Sequence, residues 1–163
     1  MNNAVSVRRC AQFVATRYRL VGQRRAPWPR WWRIRFMTDT NDQFEGSCLC
    51  GAIRFIATGE PKGVYWCHCQ SCRKHSGAPA SVFVAFEHTA YTVTQGEIAK
   101  FDSTPGRTRR GFCARCGSTL TCESARLPTE THFYVGAFDR ADELQPTRHV
   151  FPEEHLPWIP MDN

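Results

Sequence analysis

Seven of the nine cysteines in this 163-residue chain fall in three tight groups: Cys48-Leu49-Cys50, Cys67-His68-Cys69-Gln70-Ser71-Cys72 and Cys113-Ala114-Arg115-Cys116. No other feature restricts the fold as much. A disulfide inside such a pair closes a tiny loop and removes little entropy from the unfolded chain. The total is odd and no signal-peptide pattern opens the sequence, so a secreted disulfide scaffold is set aside. Metal ligation in a reducing compartment is the reading the spacing favours.

The first and third groups are knuckles, each followed by a glycine, Gly51 or Gly117, that lets the backbone turn close to a metal. Cys48, Cys50, Cys113 and Cys116 together predict a closed four-thiolate zinc site of the ribbon kind. Such a site clamps the start of the domain to its later half and closes a long loop. The central group places three thiols within six residues. A strand would send alternate side chains to opposite faces, so a loop that turns its sulfurs inward is expected. Three thiolates leave one side of a metal uncovered, the pattern of a reactive zinc. The spacing also permits an alternative partition, in which the central group pairs with Cys113 and Cys116.

Cys122 reads as a small hydrophobe on a strand, with a fourth-ligand role as the alternative. Cys10 is assigned nothing. His68, between two candidate ligands, is expected to point away from the metal, and the remaining histidines read as surface or structural residues. A zinc held by three thiolates is a weak Lewis acid towards water but can keep an incoming thiol ionised near neutral pH. The open position therefore favours a sulfur substrate over hydrolysis.

The net charge of +6 belongs to one end of the chain. Residues 1–36 hold nine of the 21 basic residues and none of the 15 acidic ones, so the remainder carries twelve basic against fifteen acidic. Pro27 and Pro29 rule out a continuous helix there. The segment is expected to be a basic extension outside the folded domain, either disordered or upstream of a start at Met37. A transit peptide, and an arm whose arginines and Trp28, Trp31 and Trp32 touch nucleic acid, are the other readings. No run of about 18 apolar residues exists, which excludes a membrane-spanning helix. A cytoplasmic protein is expected, with nucleic-acid contact only through residues 1–36.

Residues 37–163 read as one mainly β domain. Ile53, Phe55 and Ala57 alternate with polar or outward positions as a strand leaving the first knuckle. Residues 81–86, SVFVAF, suit a buried strand. Tyr91–Thr94 reads as a strand that turns at Gln95-Gly96-Glu97 and returns over Ile98–Phe101. Arg73–Ser76 reads as one helical turn stopped at Gly77. Ser118–Cys122 and Thr131–Gly136 read as further strands, and the proline-rich tail as an extended wrap.

Five blocks stand in order: GSCLCGAIRF from Gly46, CHCQSCRK-x-SG from Cys67, FCARCGS-x-L from Phe112, VGAFD from Val135, and HVF with PWI near the C-terminus. Over about residues 44–160 the chain resembles the glutathione-dependent formaldehyde-activating enzyme family. That resemblance implies a Mss4-like, mainly β zinc fold with few short helices. It implies Cys48, Cys50, Cys113 and Cys116 as ligands of a structural zinc, and Cys67, Cys69 and Cys72 as ligands of a second, catalytic zinc, two ions per chain. The implied activity is a carbon–sulfur lyase reaction in reverse, joining glutathione as co-substrate to formaldehyde to give S-(hydroxymethyl)glutathione. A positioned acid must protonate the oxyanion, and the sequence does not name it. Arg73 and Lys74, or Arg109 and Arg110, are candidates for glutathione carboxylates, against a reading as solvated turns. Cys122 stands where family members often carry an aromatic residue. The rival readings are a non-catalytic glutathione-binding, formaldehyde-carrying module and a zinc-ribbon-like interaction protein.

Overall fold

The computed structural model describes residues 43–161, and the readings for residues 1–36 and for a start at Met37 lie outside them. The described residues form ten strands and one short α-helix: β1 Gln43–Ser47, β2 Arg54–Thr58, β3 Gly63–Cys67, α1 Gln70–Ser76, β4 Ser81–Glu87, β5 Tyr91–Gln95, β6 Ala99–Thr104, β7 Thr108–Phe112, β8 Thr119–Ser124, β9 Leu127–Tyr134 and β10 His149–Val150. The domain is mainly β, as the sequence leads one to expect. No helix among the described residues is long and apolar enough to cross a membrane.

The strands form two sheets, β1-β2-β5 and β10-β3-β4-β9-β8-β7-β6. The small sheet packs its alternating apolar side onto one face of the large sheet. Phe55 stacks on Phe133 with ring centroids 4.6 Å apart and meets Phe138 edge-on at 5.3 Å. Val84, Phe86 and Leu120, fully buried, complete this core. β4 is buried on both faces, because Phe83 and Ala85 point to the opposite side of the sheet. Burial on both sides explains its unbroken apolar run.

Register decides what lines that second face. Directly opposed residues of an antiparallel pair share a face. Tyr65, Phe83 and Tyr134 form one row across β3, β4 and β9. Ala85, His132, Cys122 and Arg110 form the next, across β4, β9, β8 and β7. The face therefore carries polar and ionisable groups at positions that a core would fill with aliphatics.

Three expectations need correction. β5 and β6 are not a hairpin: β5 pairs with β2 in the small sheet and β6 with β7 in the large one. Ile98 is drawn into the core between the sheets, and the chain crosses over at Gly96, where a Cβ would stand 2.3 Å from the Ala52 carbonyl oxygen. Arg109 and Arg110, for which a solvated turn is the alternative reading, lie instead in strand β7, paired on both sides. The central cysteine group is only partly a loop: Cys67 ends β3, Cys69 caps α1, and Cys72 lies in its first turn. The helix stops at Gly77, as expected, in a left-handed conformation. The tail wraps the domain through 3-10 turns and the two-residue strand β10, which pairs parallel to β3.

Candidate metal centre and cavity

The two knuckles lie between β1 and β2 and between β7 and β8, and the fold brings them together. Cys48, Cys50, Cys113 and Cys116 have their sulfurs within 4.8 Å of one another. Cys48 Sγ is 3.6 Å from Cys50 Sγ, which is 3.9 Å from Cys113 Sγ. A tetrahedron of zinc–sulfur bonds of ~2.3 Å has edges of about 3.8 Å, so this set fits a closed tetrathiolate site. Gly51 and Gly117 have φ of +70° and +76°, which lets each knuckle bend back on itself. The Cys48 carbonyl accepts from Gly51 N–H at 2.9 Å and the Cys113 carbonyl from Gly117 N–H at 2.8 Å.

Cys67, Cys69 and Cys72 form the other group of mutually close sulfurs among the described residues. The alternative partition with Cys113 and Cys116 is not the grouping the fold makes. Cys67 and Cys69 sulfurs are 3.6 Å apart, again the edge of a zinc–thiolate tetrahedron. Cys69 Sγ accepts from the Cys72 N–H at 3.3 Å, which ties the cap to the first turn. Hydrogen bonding from Cys67 and then Cys72 holds the Cys69 thiol well below its ordinary value. Cys122 does not join this group. Burial pushes its thiol up to about 11, in keeping with a small hydrophobe on β8.

The chain braces this group from behind. Trp66 N–H and His68 N–H donate to the carbonyls of Arg148 and Val150, at 2.9 and 3.1 Å. Arg73 Nε donates to the His68 carbonyl at 3.0 Å, and Gln70 N–H to Glu154 Oε2 at 2.7 Å. His68 is fully buried and faces away from the sulfurs as expected, its Nε2 2.7 Å from His149 Nδ1.

In front of the sulfurs lies a cavity of about 800 Å³. Cys67, Cys69, Cys72 and Cys122 line it, with Tyr65 and Phe83 beside them. Arg107, Arg110, Arg126 and Arg148 bring four guanidinium groups to it, against the single carboxylate of Glu130. Arg110 is 2% exposed, and its guanidinium lies 3.7 and 3.8 Å from Cys72 Sγ and 3.1 Å from the Tyr134 hydroxyl. Of the four cations singled out in the sequence, only Arg110 lines the cavity. Arg109 is exposed and paired with Asp102 at 2.9 Å, Arg73 is spent on backbone carbonyls, and Lys74 lies on the exposed side of α1.

Sequence reasoning missed Arg107, Arg126, Arg148, Tyr65, Glu130 and His132. Each is unremarkable in its own stretch. For Tyr65, Glu130 and His132 the signal lies in register, which sets them on the face of the large sheet that Phe83 and Ala85 share; Arg107, Arg126 and Arg148 lie in the connections around that face.

Fold and site together define a mainly β domain organised around two cysteine groups that could each hold a metal ion. A model of the family described as "Glutathione-dependent formaldehyde-activating enzyme" matches residues 43–154, and the chain belongs to that family. A protein of Halomonas elongata, provisionally named a glutathione-dependent formaldehyde-activating enzyme, is 33% identical over 132 residues, 73% of this chain and 81% of that one. An uncharacterized lyase of Schizosaccharomyces pombe is 38% identical over 80 residues, 48% of this chain and 56% of that one. A crystal structure of a Rhodobacter sphaeroides protein has the same fold, with a TM-score of 0.54 and 18% identity, covering 65% of this chain and 99% of that one. Family and lyase-named relative together support an enzyme of the glutathione-dependent, formaldehyde-activating kind.

Proposed function

We propose that this chain is a zinc-dependent carbon–sulfur lyase that makes and breaks the adduct of a small thiol with an aldehyde. The substrates would be glutathione and formaldehyde, and the adduct S-(hydroxymethyl)glutathione. The observation that carries this reading is the placement of the three-sulfur group on the wall of a cavity that four arginines also line. In it, Cys48, Cys50, Cys113 and Cys116 hold a structural zinc, and Cys67, Cys69 and Cys72 a catalytic one. Zinc with three thiolates and an open position supplies a centre that keeps an incoming thiol ionised near neutral pH.

The chain's own residues do the rest. Arg107, Arg126 and Arg148 are exposed along the cavity and match the two carboxylates of glutathione in charge and in hydrogen-bonding geometry. Arg110 is buried and already engaged, so it steadies the sulfur group and leaves the tripeptide to the other three. Tyr65 and Phe83, both buried, keep water from that end of the cavity. The eight cysteines among the described residues form no disulfide, which suits a reducing compartment, and we place the protein in the cytoplasm.

Exchange NMR of S-(hydroxymethyl)glutathione formation and breakdown tests the reading, with wild type and Cys69→Ser compared. Acceleration that disappears in the variant is the expected result. No acceleration with glutathione still bound would make the protein a carrier. No binding at all would leave the family fold with a different substrate.

A further inference from the structure

We propose that Tyr65, His132 and Glu130 form a proton relay in this cavity, with the Tyr65 hydroxyl as the group that touches the substrate oxygen. The substrate in this inference is the thiol–aldehyde adduct of the preceding reading, on which it rests.

All three residues line the cavity that Cys67, Cys69 and Cys72 line. Tyr65 and Cys67 are two residues apart on β3, so they project from the same face about 7 Å from one another along the strand. That interval accommodates a sulfur and a one-carbon unit between the cysteine group and the phenol. The Tyr65 hydroxyl is hydrogen-bonded to His132 Nδ1, and His132 Nε2 lies 3.1 Å from Glu130 Oε2. A carboxylate can only accept, so Nε2 carries the imidazole proton. Nδ1 is then left as an acceptor, and the Tyr65 O–H donates to it. Lys62 Nζ lies 3.3 Å from Glu130 Oε1, on the other oxygen of the carboxylate.

The parts stand in the order of a hydroxyl, an imidazole and a carboxylate, the logic by which a buried acid orients a histidine that moves the proton of a hydroxyl. A structural explanation is weaker. Tyr65 and His132 are 8% and 7% exposed, on a sheet face where Phe83 and Ala85 show that apolar residues fit. Burying two polar side chains there costs stability unless each is satisfied, and here they are satisfied through one chain of hydrogen bonds whose three members all line the cavity.

In adduct breakdown, the hydroxyl proton of the adduct passes to Tyr65 Oη as the Tyr65 proton passes to His132 Nδ1. The freed O–H electron pair forms the C=O bond, and the C–S pair leaves with sulfur. Aldehyde and thiolate result, and Glu130 balances the imidazolium. Formation runs in reverse: sulfur attacks the carbonyl carbon, the π pair moves to oxygen, Tyr65 protonates that oxygen and His132 restores the Tyr65 proton. In formation the thiol releases its proton to solvent as it ionises, His132 Nδ1 takes one up from solvent, and that equivalent ends on the adduct oxygen by way of Tyr65, so none is consumed overall.

The test measures kcat and KM by exchange NMR for wild type, Tyr65→Phe, His132→Gln and Glu130→Gln, with metal content and melting temperature for each. Tyr65→Phe and His132→Gln are expected to lower kcat by about 100-fold or more, with KM and metal content unchanged, and Glu130→Gln to fall between them and wild type. Wild-type acceleration with full kcat in Tyr65→Phe would overturn the relay and leave the lyase reading standing. A wild type that accelerates nothing would overturn the lyase reading and the relay with it. Nitrogen-15 NMR of His132 in the unaltered protein gives a readout that needs no variant to fold. The Nε2–H tautomer is expected, and an Nδ1–H tautomer would overturn the relay whatever the rates.

Discussion

The Arg110 guanidinium lies 3.7 and 3.8 Å from Cys72 Sγ, and the residue is almost wholly buried. Its other partners are the Tyr134 hydroxyl and Ser103 Oγ, both 3.1 Å away and both uncharged. A buried cation without a counter-charge is costly, and the ionisable groups beside it are the thiols of Cys72, within contact of the guanidinium, and Cys122, opposite it on β8. The guanidinium is thereby matched to the surplus negative charge that three thiolates would carry around a divalent metal.

Arg110→Met removes that charge while keeping much of the volume. Metal should leave the three-cysteine group about 10–100-fold more readily, the usual penalty for losing a partner that orients a ligand. The four-cysteine group should be unaffected. Chelator competition, followed by metal analysis of the retained protein, distinguishes the two groups.

Cys113→Ser and Cys69→Ser should differ in kind. Cys113 sits in the group that joins the turn after β1 to the turn after β7, and a metal bound there would be part of the folding free energy. Its loss should lower the melting temperature sharply. Cys69→Ser alters a group whose members all come from Cys67–Cys72, so on the proposed two-metal reading it should melt near wild type and lose one metal ion while keeping the other. Scanning calorimetry with metal stoichiometry checks both halves.

Gly111 faces the core between Arg110 and Phe112. An added Cβ would stand 2.1 Å from Thr121 Oγ1 and 2.6 Å from Ile98 Cγ2. Gly111→Ala should therefore cost about 1–3 kcal/mol, the range for overpacking a filled core. Chemical denaturation measures this. The strand shift it forces should also disturb Arg110, so metal retention at the three-cysteine group should fall together with stability.

Burial lowers the proton affinity of His132, and of His75 in the last turn of α1, from the ordinary histidine value. The sign follows from linkage. With a folded pKa below the unfolded one, the unfolded chain binds more protons between the two values, so stability rises with pH in that window. The contribution is complete above about pH 6.5 and is lost as pH falls towards the depressed folded value. Melting temperature should drop on acidification from pH 7 to 5, and the drop should be shallower in His132→Gln.

Arg126 is exposed in the turn between β8 and β9 and lines the cavity. If it takes a glutathione carboxylate, Arg126→Ala should raise KM several-fold and leave kcat near wild type, the pattern of lost uniform binding. Increasing salt should weaken substrate binding in wild type more than in the variant. Steady-state rates at two ionic strengths check this.

The sequence by itself determined the cysteine groups, the mainly β character, the helix stop at Gly77 and the buried strand at residues 81–86. These are short-range properties: ligand spacing, alternation and the steric freedom of glycine act within a few residues. The family was legible for the same reason, since its blocks are local. Pairing was not. The turn at Gly96 reads as a hairpin, yet β5 and β6 go to different sheets because Ile98 gains more from the core than from a neighbour on β5.

Only the tertiary structure decided which arginine faces the sulfurs. Arg109 and Arg110 are adjacent in sequence, and strand alternation sends one to solvent and the other to Cys72. Likewise nothing in Thr131-His132-Phe133 marks His132 as a partner of Tyr65, 67 residues earlier. Cross-strand register joins them, and register depends on how every strand of the sheet buries its apolar side at once.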